Sequence, residues 1–118
     1  MKTEKIYVEP LKREIVYYIG KSKDDNFKVI DAGKNDDLWF HAANESSCHI
    51  VCEIPSEPAI DKLDLKYIIK IGALLCKQNT NKLKSQQNVE IIYTQIQNVI
   101  KTSVAGCVQT KNTKIITI

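Results

Sequence analysis

Along this chain the spacing of apolar residues switches between alternate positions and every third or fourth position, and each switch marks an element. Residues 14–19, EIVYYI, are β-branched and aromatic and read as a strand that Gly20 ends. Ahead of it, residues 1–13 form an N-terminal leader or a short strand at Ile6–Val8, broken by Pro10. Ser22 caps a short helix of about residues 22–31, with Asp24 and Asp25 in the first turn, where the helix dipole favours acids. Gly33 closes it, GKNDD turns the chain, and Leu38–Ala42 is a strand. A second strand, His49–Ile54, follows a six-residue loop, and the pair reads as a hairpin that Pro55 and Pro58 end.

A helix over about residues 61–79 carries the strongest periodicity. Leu65, Ile68, Ile69, Gly72, Leu75 and Cys76 share one face at three- and four-residue spacing. Lys62, Lys66, Lys70 and Lys77 share another, which reads as a solvated surface or as a stripe facing phosphate. After the polar linker NTNKLKSQQN come strand-like runs at Val89–Thr94, Gly106–Gln109 and Lys114–Ile118, with a weaker piece at Ile96–Lys101. Strands, one long helix, then more strands predict a single α+β domain with a mostly antiparallel sheet.

Composition narrows the function classes. With 118 residues and 43% apolar side chains, the chain can fill one core without metals or disulfides. No apolar run approaches the length of about eighteen residues that spans a membrane. The charged N-terminus lacks the apolar stretch of a signal peptide. Cys48, Cys52, Cys76 and Cys107 lack C-x-x-C spacing and read as reduced core residues in a cytoplasmic compartment. The net charge of +3 permits a nucleic-acid partner without requiring one. Arg13 is the only arginine among 17 basic residues, and lysine suits diffuse phosphate contact better than bidentate base reading.

The candidate chemistry gathers in DDLWFHAANESSCHIV, residues 36–51, which holds the only tryptophan and both histidines. Alternation along a strand puts Asp37, Trp39 and His41 on one face, and Leu38, Phe40 and Ala42 on the other. Pairing His41 with His49 sets Trp39 opposite Val51 and brings both histidines to the tryptophan's face. Four readings compete. Trp39 and the histidines are packing elements. Ser46 or Ser47 is a hydrolase nucleophile, against which stand the missing G-x-S-x-G elbow and the missing third group of a triad. Both histidines bind a metal with Asp37 or Cys48, although no third ligand is specified. Or the histidines, hydroxyls, ring and nearby lysines form a surface for phosphates and bases.

Three segments, YYIGKSKDDN (17–26), DLWFHA (37–42) and SSCHIV (46–51), resemble the NFACT-R domain. So do VEIIYT (89–94), NVIK (98–101) and KIITI (114–118), and the likeness covers about residues 14–118. That domain forms the C-terminal part of ribosome-quality-control factors that tail stalled nascent chains. It also occurs in small proteins that join it to a coiled coil, and the SSCH form here is similar to theirs. The large factors usually carry proline-glycine-serine-histidine at this point. The family's motif falls on Gly20, Lys21, Asn26, Asp37, Trp39, Phe40, His41, Ser47 and His49.

The resemblance implies an RNA-binding domain with no catalysis and no cofactor or metal of its own. The expected partner is RNA, either tRNA or ribosomal RNA, with DNA and the ribosome as further partners and a link to ribosome-associated quality control. Expected contacts are Lys21, Lys23, Trp39, His41, Ser46, Ser47, His49 and Lys101, with Trp39 stacking on a base if exposed and belonging to the core if not. The alternative is a protein-interaction module that docks on a ribosomal or other partner without touching nucleic acid. The large factors' other domains lie outside these 118 residues, so the expectation is an excised domain or a minimal stand-alone protein.

Overall fold

A computed structural model describes residues 1–118. Its main sheet has six strands, and every neighbouring pair is antiparallel. In chain order the elements begin with β1 (Lys2–Val8), β2 (Arg13–Gly20) and helix α1 (Lys23–Ala32). β3 (Leu38–Ala42), β4 (His49–Cys52) and helix α2 (Lys62–Gln78) follow. The chain closes with β5 (Glu90–Gln95), β6 (Val99–Lys101), β7 (Val108–Thr110) and β8 (Lys114–Thr117). The sheet order is β1-β2-β4-β3-β5-β8, while β6 and β7 pair only with each other as a separate ribbon. This is the α+β domain with one long and one short helix that the patterning predicts.

The two helices cover opposite faces of the sheet. On one, Tyr17, Ile19, Phe40, Ile50 and Cys52 pack with Ile68, Ala73 and Cys76 of α2 in the main core. Gly72 lets α2 approach closely, since a Cβ there would lie 2.4 Å from Cζ of Phe40. On the other face, Trp39 and Val51 pack with Val29 and Ile30 of α1 and with Ile96 in a smaller core. Asp61 and Ser22 cap the two helices, each accepting a backbone N–H from three residues on, as N-cap side chains do.

Several boundaries differ from the pattern. The first strand starts at Lys2, earlier than the short strand expected at Ile6–Val8, and pairs with β2 along its whole length as the outer hairpin of the sheet. Pro10 sits in a single 3-10 turn, where it shapes the bend. β4 stops at Cys52, short of Ile54, because the Ile54 N–H leaves the ladder and donates to Oδ1 of Asp37 at 2.9 Å. The weak piece at 96–101 divides into a 3-10 turn and β6. Cys48, Cys52 and Cys76 are buried, but Cys107 is exposed in the β6–β7 loop and is no core residue.

Candidate nucleic-acid interface

β3 and β4 pair with Trp39 opposite Val51, the register that aligns His41 with His49. The consequence is a three-ring cluster. Trp39 and His41 stack, with centroids 5.6 Å apart and planes 6° from parallel. His49 stands nearly perpendicular to both, 5.4 Å from Trp39 and 4.9 Å from His41. Trp39 is 1% exposed and His49 2%, so both belong to the core. Trp39 therefore offers no free face to a base and acts as the platform beneath His41.

The tautomers follow from the hydrogen bonds. The indole Nε1–H of Trp39 donates to Nδ1 of His49 at 3.1 Å. Nδ1 of His49 is thus the acceptor, and its proton sits on Nε2. That Nε2–H finds no protein acceptor and meets the cleft that His49 helps to line. His41 has the opposite arrangement: its Nδ1–H donates to the Ala42 carbonyl at 2.7 Å, leaving Nε2 as a lone-pair acceptor. Burial, with His41 as a neighbour, pushes His49 down to about 3. Burial also lowers His41, against the pull of the Ala42 carbonyl and with help from Lys82. Both rings are neutral at pH 7, so Nε2 of His49 is a donor and Nε2 of His41 an acceptor.

The serines divide in the same way. Ser47 accepts the Ala42 N–H at 2.9 Å and donates to the Cys48 carbonyl at 2.9 Å, which fixes the loop between β3 and β4. Its hydroxyl proton is committed inside the fold. The next residue, Cys48, donates its N–H to Oγ1 of Thr80 at 3.1 Å, and Thr80 in turn donates to the Cys76 carbonyl at 2.8 Å. The start of β4 is thereby tied to the C-terminal end of α2. Ser46 is exposed.

These residues meet in one cleft of about 540 Å³. Trp39, His41 and His49 form its base, and Ser46 and Ser47 one side. Lys21 and Lys23, both exposed, stand at the start of α1 on another side. Two features complete it. Asn26 is buried on α1 and, in the amide orientation that pairs donor with acceptor, donates to the carbonyls of Gly20 (2.6 Å) and Ser22 (3.3 Å). It holds the GKSK turn that presents the lysines, and the family motif already includes it. The second is the β6–β7 ribbon, which adds a wall through Gly106, Val108 and Thr110. Gly106 has φ +78°, and a Cβ there would come within 3.1 Å of Cα of Lys23, so any other residue would strain the seating of the ribbon on α1.

Lys101 does not line this cleft. It pairs with Asp31 at the far end of α1, with its ammonium 5.3 Å from the centre of the Phe27 ring. The lysine stripe of α2 also lies apart, because α2 covers the opposite face of the sheet. Asp37 is buried and clips the chain together: it accepts from the N–H groups of Lys34 (2.8 Å) and Ile54 (2.9 Å). No group of three or more His, Cys, Asp or Glu side chains is arranged to hold a metal ion.

Comparison with known proteins gives this geometry a family. The chain is 33% identical over 86 residues to coiled-coil domain-containing protein 25 of Danio rerio, covering 73% of this chain and 41% of that protein. It is 30% identical over 106 residues to the Mus musculus protein of that name, covering 86% and 50%. A Dictyostelium discoideum homologue is 28% identical over 98 residues, covering 83% and 47%. The chain thus spans about half the length of the curated relatives it matches. Among solved structures, the C-terminal part of the fibronectin/fibrinogen-binding protein from Streptococcus suis superposes with a TM-score of 0.76. That likeness covers 100% of this chain and 45% of the other at 19% identity, and it speaks for the fold alone. The model of the NFACT protein RNA binding domain matches residues 6–112, nearly the whole chain, and the chain belongs to that family of nucleic-acid-binding domains.

Proposed function

We propose that the cleft between α1, the β3–β4 loop and the β6–β7 ribbon is where this domain binds RNA, and that the RNA is tRNA or ribosomal RNA met in the cytoplasm during ribosome-associated quality control. The observation that carries this reading is the convergence of Lys21, Lys23, His41, Ser46 and the free Nε2–H of His49 on one cleft beside a helix N-terminus. Lysine ammonium groups and the first-turn amides of a helix both favour phosphate oxygens. The lysine-dominated charge suits contact with the backbone more than base-specific reading. Trp39, Ser47 and Asp37 serve the interface by building it.

Fluorescence anisotropy with labelled tRNA across a salt series tests the proposal. With three to five lysines on phosphates, the log–log slope of affinity against salt is roughly −2 to −4. Lys21→Glu with Lys23→Glu weakens binding to every sequence alike and makes the slope shallower by about 2. Binding that ignores salt, or a double variant that binds like the wild type, overturns the reading.

A further inference from the structure

Trp39 and His41 are two rungs of a ladder whose third rung is vacant. Side chains two residues apart on a strand share a face, so the position beyond His41 belongs to Ala43. The Ala43 N–H still donates to the Glu90 carbonyl at 3.0 Å, which keeps the backbone in register past the end of β3. A methyl group therefore stands where a third ring would lie, and Ala43 lines the cleft. Trp39 covers one side of the half-buried His41 ring. Ile92, the partner of His41 across β5, and Val108 of the ribbon supply apolar flanks to the same space. His49, 2% exposed, lines the same cleft, and its Nε2–H has no partner in the protein.

We infer, resting on the RNA-binding reading above, that this vacant rung takes the base of one unpaired nucleotide. The base stacks on His41 over Ala43, and its phosphates lie toward Lys21 and Lys23. The cleft volume of about 540 Å³ falls within the usual range of small-ligand sites, about 300–1,000 Å³. A base inside a duplex has both faces covered by its neighbours, so only an unstacked nucleotide can enter. Stacking tolerates any base, whereas the His49 N–H favours one that turns a ring nitrogen or carbonyl acceptor inward. The domain is thereby a reader of single-stranded loops or ends.

The test compares a short labelled single-stranded RNA, the same strand with one abasic position, and a duplex of the same sequence, each across a salt series. The single strand is expected to bind roughly tenfold more tightly than its abasic form, the worth of about one stacked base, and more tightly than the duplex. Ala43→Trp, which fills the rung, and His41→Ala, which removes the platform, each bring the intact strand down to the affinity of the abasic one. His41→Phe, which keeps a flat ring, retains the preference. Circular dichroism confirms that the variants are folded. Equal, salt-dependent binding of intact and abasic strands by the wild type, or a base preference that survives Ala43→Trp, overturns the stacking inference and leaves the phosphate reading standing. Absence of salt-dependent binding to all three overturns both.

Discussion

The indole N–H of Trp39 is hydrogen-bonded to Nδ1 of His49 in the buried layer beneath the cleft. One bond fixes a tautomer, positions a ring and places a neutral donor where a ligand would sit. Removing either partner strands a polar atom in the core. Trp39→Phe leaves Nδ1 of His49 unpaired and also a small void, for a combined loss of about 2 kcal/mol or more in urea unfolding. His49→Leu strands the indole N–H instead. The double variant is expected to lose less than the sum of the two, with a coupling of about 1 kcal/mol in a double-mutant cycle.

Acid weakens the fold through the two histidine rings. The folded chain holds His49 at about 3 and lowers His41, whereas an unfolded histidine titrates near 6.5. Between those values the unfolded chain binds protons that the folded chain does not. The stabilisation is fully present above about pH 6.5 and is lost as pH falls toward 3. His49 alone contributes a slope approaching 1.4 kcal/mol per pH unit below about pH 6. Urea midpoints between pH 6.5 and 5, above the main carboxylate range, measure it. His49→Gln, whose amide oxygen can still accept the indole N–H, gives a shallower slope.

Adding one methyl group to α2 tests how tightly the main core is built. Alanine exceeds glycine in helix propensity by about 1 kcal/mol, so Gly72→Ala would stabilise an isolated helix. Here the new Cβ would lie 2.4, 2.5 and 2.8 Å from three atoms of the Phe40 ring, which is itself fully buried. Overpacking is expected to win, for a net loss of about 1–2 kcal/mol. Phe40→Leu added to Gly72→Ala recovers part of it in thermal unfolding.

The two adjacent serines are expected to separate cleanly. Ser47→Ala removes the acceptor for the Ala42 N–H and costs about 1–2 kcal/mol in chemical denaturation. Ser46→Ala changes an exposed side chain and stays within about 0.5 kcal/mol of the wild type, while its effect on RNA affinity reports contact alone.

Most of the main sheet could be read from alternation, since period-two patterning sets the face of each side chain and the histidine pairing sets the register. Trp39, His41 and His49 were placed together on that basis. Only the Ile6–Val8 end of β1 is legible, because KTEK carries no apolar signal: its outer residues are solvated, and pairing with β2 supplies the order. The strand-like runs at 96–101 and 106–109 are legible, but their pairing as a separate ribbon is not, because β6 and β7 have three residues each, too short for a pattern to fix a partner. With that pairing went the wall of the cleft at Gly106 and Thr110. Lys101 was grouped with the site by its charge and its place in the motif, but it lies on the ribbon's first strand and reaches Asp31 instead. Whether Trp39 faced solvent depended on α1 folding over it, which no local pattern specifies.

The division of the WFH…SSCH segment into residues that face the cleft and residues that hold it up has a consequence for genetics. A screen for loss of binding would recover Trp39, Ser47 and His49 as readily as Lys21, because collapse of the support and removal of a contact have the same phenotype. A screen for variants with normal abundance would instead return Ala43 and Ser46 for altered ligand choice and Lys21 and Lys23 for uniformly weakened binding, positions where the side chain is spare to the fold. The same motif would thus yield two different maps, one of folding and one of recognition, depending only on what was selected.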